Sequence, residues 1–141
     1  MKVGLLGTDS LILAPIAAAT TARTSSNLDI SDANYVTLRV TLGAELNTNS
    51  TNVAISIKES DDTTASNFAT FNSSFQRTVD NTAGTIATTH IDTEGRKRYL
   101  NVTITPDTTT NGTVISSVSA CVFKNIKSTS TTMLGPDVQI G

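Results

Sequence analysis

Two stretches of the sequence, residues 35–43 and 96–106, alternate apolar and polar side chains with a period of two. The apolar positions are Val36, Leu38, Val40 and Leu42 in the first stretch and Leu100, Val102 and Ile104 in the second. Successive side chains of an extended strand point to opposite faces, so this period indicates a strand with one apolar face and one solvent-exposed face. Each stretch therefore predicts a β-strand that buries only one of its faces.

The rest of the chain repeats this pattern in shorter segments separated by turn-forming residues. Further strands are predicted at residues 11–19, where Pro15 marks an edge or a bend, and at residues 28–30, 53–59, 85–91 and 113–123. About seven or eight strands result, and no 3.6-residue pattern is long enough for a core helix. The sequence therefore predicts an all-β fold, a single antiparallel β-sandwich, and the strand count favours a jelly roll. An antibody-type sandwich is disfavoured because the chain has one cysteine and no tryptophan.

Two local arrangements follow from the spacing of these segments. Residues 53–59 are predicted to pair with residues 35–42 as an antiparallel hairpin, through the polar loop 45–52. The next apolar side chains recur at spacings of three and four, as on one face of a short helix: Phe68, Phe71 and Phe75. Because Ser, Thr and Asn surround these phenylalanines, they are assigned instead to irregular structure that closes one end of the sandwich.

The 141 residues fit one domain, which is long enough to bury a continuous core without metals or disulfides. We predict that residues 1–124 form the sandwich, with residues 1–27 as an arm or an edge strand, and that residues 125–141 form a C-terminal tail or arm. In the tail, residues 133–140 are largely apolar, contain a proline and follow a polar linker, which suits an arm that adds to the sheet edge of another subunit. The alternative is a last strand that folds back on its own domain.

Composition and charge disfavour two kinds of partner. The net charge of −2 gives no basic surplus for binding nucleic acid. No apolar run approaches the roughly 20 residues of a membrane span. Asp9 and Ser10 interrupt the apolar N-terminal run that would otherwise resemble a secretory signal. We therefore expect neither nucleic acid nor a membrane as a partner.

No constellation of titratable side chains in the sequence points to catalysis or to a cofactor. His90 is the sole histidine and has no cysteine at ligand spacing, so a metal role is disfavoured. Asp61 and Asp62 lie in a turn-forming segment and lack the spacing of a calcium loop. Cys121, the only cysteine, has apolar neighbours and is assigned to the core. We expect no catalytic, cofactor-binding or metal-binding residue, no cofactor and no enzymatic activity.

The candidate partner-binding residues fall in two places. Arg96, Lys97 and Arg98 open the second alternating stretch, where alternation sends Lys97 to the face opposite its neighbours. They are assigned either to a solvated strand start or to a salt-bridge site between subunits, in which Arg96 and Arg98 would be the contacts. The second group consists of apolar side chains of the tail: Met133, Leu134, Val138 and Ile140.

Three runs of the sequence carry a resemblance to a known class of protein: LDISDANYVTLRVTLG, ISIKESDDTTASNFATF and GRKRYLNVTITPDTTTNGTVISSVSACVF. A strand followed by an ESDD turn, a GRKRYL strand, a Thr-rich turn and a final apolar strand resembles small β-rich virion proteins of tailed bacteriophages. Over residues 28–123, the chain is similar to head decoration, or cement, proteins with a jelly-roll-like fold.

The resemblance implies a structural virion protein without catalytic residues. Proteins of this class form homotrimers on the outer capsid surface, clamp neighbouring major capsid subunits and resist internal pressure. The implied partner is the phage major capsid protein, and the implied location is the outer surface of a virion assembled in the host cytoplasm. Two alternatives stay open: a phage tail or fibre subunit, and a carbohydrate-binding adhesin module. The second would present exposed aromatic platforms, for which the sequence offers Tyr35 and Tyr99 and no tryptophan.

Overall fold

The computed structural model describes residues 4–15, 21–44, 51–79, 84–107 and 114–126. These residues form nine β-strands and one 3-10 turn, Ala65–Asn67, and no α-helix. In chain order the strands are β1 Gly4–Leu13, β2 Arg23–Thr24, β3 Leu28–Asp29, β4 Tyr35–Leu42, β5 Thr51–Ser60, β6 Ala69–Val79, β7 Thr85–Asp92, β8 Tyr99–Pro106 and β9 Ser116–Ile126.

The strands pair into two sheets that enclose one core. Sheet 1 has the order β1-β9-β4-β7, and sheet 2 has the order β2-β8-β5-β6, with β3 also paired to β8. Every pair in both sheets is antiparallel. Because Arg23 pairs with Ile104 of β8 and Leu28 pairs with Leu100, β2 and β3 are two parts of one interrupted edge strand.

This strand order is that of a jelly roll. When β2 and β3 are counted as one strand, the described residues contribute eight strands in nested pairs: first with last, second with seventh, third with sixth and fourth with fifth. A long hairpin of nested pairs that wraps into two four-stranded sheets produces the two Greek keys of the fold. The predicted all-β class and antiparallel sandwich are confirmed, and the topology is the predicted jelly roll.

The core lies between the sheets and contains the inward side chains of their central strands. The two alternating stretches of the sequence supply β4, a central strand of sheet 1, and β8, a central strand of sheet 2. Each large aliphatic side chain that leaves water contributes about 1.5–3 kcal/mol to folding. The largest fully buried side chains are Leu38, Leu42, Ile55, Ile57, Leu100, Ile104, Val36, Val53, Val102, Val114 and Val118.

The outward side of β8 is not solvated, in contrast to the simple expectation from alternation. Asn101 and Thr103 are both buried, although their apolar neighbours in the strand face the core. The segment around β2 covers them: the Thr24 and Thr103 hydroxyls are 3.1 Å apart, and the Asn101 amide donates to Asn27 Oδ1 at 3.3 Å. The Thr103 hydroxyl and the Asn101 Nδ2 group therefore have partners, whereas Asn101 Oδ1 is buried without one among the described residues.

The predicted hairpin between β4 and β5 is wrong. β4 pairs with β7 and β9 in sheet 1, whereas β5 pairs with β6 and β8 in sheet 2. The connection after Leu42 therefore passes from one sheet to the other. In a sandwich, both sheets bury one face of each strand, so the same alternation arises whether two successive strands share a sheet or face each other.

The assignment of Phe71 and Phe75 to irregular structure is also wrong, because both lie in strand β6, Ala69–Val79, whereas Phe68 precedes the strand. The half-buried Phe71 packs against the core. The register between β5 and β6 is irregular on both sides of Ile57. Irregularities of this kind insert residues into one strand and break its period of two, which produces the helix-like spacing.

Several element boundaries differ from the sequence prediction. The first strand is residues 4–13 rather than 11–19, and it lies at the edge of sheet 1. Arg96, Lys97 and Arg98 precede β8, which begins at Tyr99. β9 continues to residue 126, two residues beyond the predicted end of the sandwich at residue 124. Residues 16–19 of the first predicted strand lie outside the described residues.

Candidate functional site

The structure places one of the two predicted contact regions, Arg96 to Arg98, at one end of the sandwich, which we call the loop end. It comprises residues 30–34, 59–62, 93–98 and 122–126, where β5, β7 and β9 end and β4 and β8 begin. Backbone hydrogen bonds connect its loops: the Asn34 amide donates to the Phe123 carbonyl at 2.9 Å, and the Thr93 amide donates to the Asn34 carbonyl at 3.3 Å. The chain also leaves β9 here, because Ile126 pairs with Gly4 beyond the Tyr35–Phe123 pair.

Arg96, Lys97 and Arg98 each lie beside a carboxylate of the loop end or its border. Arg96 Nη1 is 3.6 Å from Glu59 Oε2, and Lys97 Nζ is 3.6 Å from Asp61 Oδ2. Arg98 Nη2 is 2.8 Å from Asp29 Oδ2, the shortest of the three ion pairs. The basic segment is thereby connected to residues of β3, of β5 and of the turn that follows β5.

The pair between Arg98 and Asp29 has the strongest geometry. Arg98 donates to Asp29 through both Nε, at 3.1 Å to Oδ2, and Nη2, and the Ser31 amide donates to Asp29 Oδ1 at 3.0 Å. The bonds from Arg98, followed by the bond from Ser31, hold the pKa of Asp29 well below its usual range. The two side chains are 54% and 42% exposed, so solvent screens part of the interaction between them.

Asp29 is expected to stay ionised in acid that protonates an ordinary aspartate. Its lowered pKa means that the stabilisation by this pair is complete above the unfolded-state pKa of about 3.9 and is lost as the pH falls through the folded-state pKa. The carboxyl chemical shift of Asp29, followed by NMR, should therefore change at a lower pH than the shifts of ordinary aspartates.

The control distinguishes the effect of the Arg98 hydrogen bonds on the pKa of Asp29 from the effect of nearby positive charge in general. In Arg98→Gln the titration of Asp29 should move up towards about pH 3.9. In Lys97→Gln, which removes the adjacent cation that pairs with Asp61, the titration should stay in place. An ordinary titration of Asp29 in the unmodified protein would contradict the bidentate pair.

Arg96 also borders a hollow between the edges of the two sheets. Its guanidinium carbon lies 4.8 Å from the centre of the Phe71 ring, close enough for a cation–π contact. The hollow has a volume of about 480 Å³ and is lined by Phe71, His90, Ile91, Asp92, Glu94 and Arg96. Arg96 is therefore held from two sides, by Glu59 and by Phe71.

The predicted contacts of the tail cannot be placed beside these residues. Met133, Leu134, Val138 and Ile140 lie outside the described residues, as does the rest of the chain after residue 126. Arg96 and Arg98 both lie at the loop end, each with an acidic neighbour. A partner that uses Arg98 would have to compete with Asp29 for its guanidinium.

A second surface lies on the outer face of sheet 1, and sequence analysis missed it. Here β9 presents small side chains between the larger ones of β1 and β4. Its floor and walls follow from the register, in which Cys121 pairs with both Asp9 and Thr37, and Ser119 pairs with both Leu11 and Arg39. The resulting β9 groove has a volume of about 460 Å³ and is lined by Asp9, Ser10, Leu11, Thr37, Arg39, Ser119 and Cys121.

An aromatic row lies next to the β9 groove, two residues closer to the loop end along β4 and β9. The Tyr35 ring is 6.0 Å from the Phe123 ring and 5.8 Å from the nearly parallel His90 ring, measured between centres. His90 is positioned by a 3.0 Å hydrogen bond between its Nδ1 and the Thr37 hydroxyl. A Cβ atom at Gly7 would lie 2.9 Å from Phe123, so glycine at this position lets the Phe123 ring lie across β1.

Cys121 is on the floor of the β9 groove rather than in the core. The buried residues of β9 are Ser116, Val118, Ala120 and Val122, so the odd-numbered positions face outward, and Cys121 is partly exposed. Burial, followed by a hydrogen bond with Asp9, raises the pKa of the Cys121 thiol. The thiol is therefore protonated at neutral pH and is a poor nucleophile.

Within the described ranges, no group of three or more His, Cys, Asp or Glu side chains is placed to hold a metal ion. The same ranges contain no helix of the length and apolarity that a membrane crossing requires.

No protein-family model and no curated protein matches this sequence. Among solved structures, the chain is similar to the SPBc2 prophage-derived protein YomS, with a TM-score of 0.53 and 15% sequence identity over 88% of this chain and 98% of that one. The CBM22-1 xylan-binding domain of Paenibacillus barcinonensis Xyn10C gives a TM-score of 0.42 and 10% identity over 88% of this chain and 86% of that one. The likeness to YomS is one of fold.

Proposed function

We propose that this chain is a structural, non-enzymatic protein of a bacteriophage particle that decorates the outer capsid surface and stabilises it. The observation that supports the proposal is that the basic segment and the end of β9, from which the chain continues into the predicted tail, lie at the same end of the sandwich. Two contact regions on one chain would allow it to engage neighbouring capsid subunits together, which multiplies the affinity.

The fold of YomS, a prophage-derived protein, supports a phage origin, because the two chains match over 98% of that protein. The sequence resemblance to head decoration proteins supports the head rather than the tail. In this proposal the protein is a homotrimer, its partner is the major capsid protein, and residues 133–140 extend from the loop end to a neighbouring subunit.

The experiment is co-sedimentation of the purified protein with heads of the phage that encodes it. We expect the full chain to pellet with heads and a variant that lacks residues 133–141 to bind more weakly, with an unchanged melting temperature. Arg98→Gln should also weaken attachment, whereas Arg39→Gln, which removes the same charge from the outer face of sheet 1, should not.

Two results would count against this proposal. Equal binding by the full chain and the truncated chain would remove the tail from the contact. Absence of the full chain from the head pellet, with recovery on isolated tails, would favour a tail or fibre subunit instead.

A further inference from the structure

The β9 groove combines a polar trough with an aromatic row at one end. Along β9, the outward residues from Phe123 to Ser119 span four positions, or about 14 Å at the rise of an antiparallel strand. Phe123 contributes an aromatic ring at one end of this span, and Cys121 and Ser119 form a floor of small side chains beyond it. The groove volume of about 460 Å³ is in the range of small-molecule sites.

The walls of the groove carry charged groups that the fold does not engage in ion pairs. Arg39 and Asp9 form no salt bridge with any described residue, whereas Arg96, Lys97, Arg98 and Lys124 each have an acidic partner. Arg39 is exposed on β4, and Asp9 is exposed on β1 across the floor from Thr37. A guanidinium, a carboxylate and the Ser119 hydroxyl therefore face one trough with donors and acceptors available, whereas the Thr37 hydroxyl is already bonded to His90.

We propose that the β9 groove is a binding site for a neutral saccharide. The C–H face of one sugar ring packs on the aromatic row of Phe123 and Tyr35, and the hydroxyls of the next ring hydrogen-bond to Asp9 and Arg39. Sugars present both an apolar face and closely spaced hydroxyls, and this site offers a partner for each. Gly7 leaves the space that the Phe123 ring needs to lie across β1.

The charges in the groove favour a neutral ligand over an anionic one. Asp9 on β1 and Arg39 on β4 offset each other across β9, and the Asp9 carboxylate would repel a phosphate or a uronic acid at its end of the trough. A purely apolar ligand would leave these charges desolvated without partners. The inference does not depend on the capsid role, since the groove lies on a sheet face outside the loop end.

The test is a panel of neutral hexasaccharides built from glucose, mannose, galactose or N-acetylglucosamine, titrated into the full chain by calorimetry. We expect saturable binding of at least one member. Arg39→Ala should weaken that binding by about tenfold or more because it removes a charged hydrogen-bond donor. Ser119→Leu should abolish it because the longer side chain fills the floor between Leu11 and Arg39.

Matched controls carry the same changes on the outer face of sheet 2. Ser56→Leu and Lys58→Ala alter a serine and a cation on β5, a central strand like β9 and β4, and should leave saccharide binding unchanged. Melting temperatures identify any variant that is unfolded. The proposal is overturned if no hexasaccharide binds at millimolar concentration, or if binding survives both groove variants.

Capsid attachment, measured on the same variants, separates this inference from the proposed function. We expect Arg39→Ala to bind the saccharide more weakly and to attach to capsids normally. Arg98→Gln should attach to capsids more weakly and bind the saccharide normally. Loss of capsid attachment in Arg39→Ala, with no hexasaccharide bound by the unmodified chain, would instead identify the groove as a protein contact and overturn the saccharide site.

Discussion

Replacing Leu38 with alanine is expected to lower the free energy of unfolding by about 2–5 kcal/mol. Leu38 is 1% exposed and lies on the central strand β4, where its side chain packs in the core between the two sheets. The substitution removes buried apolar surface and leaves a cavity, because the surrounding strands are fixed by their pairing and cannot collapse fully. Urea denaturation, with the midpoint and slope fitted for each variant, measures this loss.

Leu11→Ala is the matched control, since it makes the same change in the same sheet. Leu11 is 60% exposed on the outer face, and its truncation should change the free energy of unfolding by no more than about 0.5 kcal/mol. Similar losses in the two variants would contradict the assignment of Leu38 to the inner face of sheet 1.

The second large effect is expected at Gly84, which immediately precedes β7. A Cβ atom at this position would overlap the carbonyl oxygen of Leu42 and lie 3.2 Å from the Cα atom of Gly43. Both are backbone atoms next to the Leu42–Thr85 pair, so they cannot rotate away as a side chain would. Gly84→Ala should therefore separate the ends of β4 and β7 and cost about 1–3 kcal/mol, again measured by urea denaturation.

Gly95 provides the comparison, because its constraint is conformational rather than steric. Its φ is +72° and no atom lies within 4 Å of its added Cβ, so alanine there should cost only about 1 kcal/mol. Asparagine tolerates this backbone region better than alanine, so Gly95→Asn should recover part of the loss, whereas Gly84→Asn should not. Recovery by Gly84→Asn would contradict the backbone clash.

Much of the fold could be predicted from the sequence because its central strands have unambiguous patterns. β4 buries Val36, Leu38, Val40 and Leu42 at alternate positions, and β8 buries Leu100, Val102 and Ile104 in the same way. Alternation depends only on the local geometry of a strand, so it can be recognised in the sequence without knowledge of the partner strand. The turn-forming residues mark where one strand ends and the next begins, so the number of strands could be counted. That number favoured a jelly roll.

Strand partners could not be predicted, because alternation carries no information about which sheet a strand joins. β5 has the same pattern on sheet 2 that β4 has on sheet 1, and their proximity in sequence suggested a hairpin that the structure does not contain. Where the period itself breaks, as beside Ile57 in the pairing of β5 with β6, even the presence of a strand was obscured. The position of Cys121 was misjudged because its apolar neighbours belong to the opposite face of β9.

The two candidate surfaces differ in how visible they are in the sequence. Arg96, Lys97 and Arg98 are contiguous, so the sequence identified the cluster but not the carboxylates of Asp29, Glu59 and Asp61 that lie beside it. The β9 groove is assembled from three strands that are far apart in the chain. Tyr35 and Phe123 come together only through the register of β4 with β9, which no local pattern encodes.

The measurement that tests the central claim most directly is electron microscopy of phage heads saturated with the purified chain, with bare heads imaged alongside. We predict regular added density on the outer surface at local three-fold axes, with three jelly rolls per site and the loop end of each facing the capsid. Smooth heads with no added density, or density confined to the tail, would contradict the proposal that this chain decorates and stabilises the capsid.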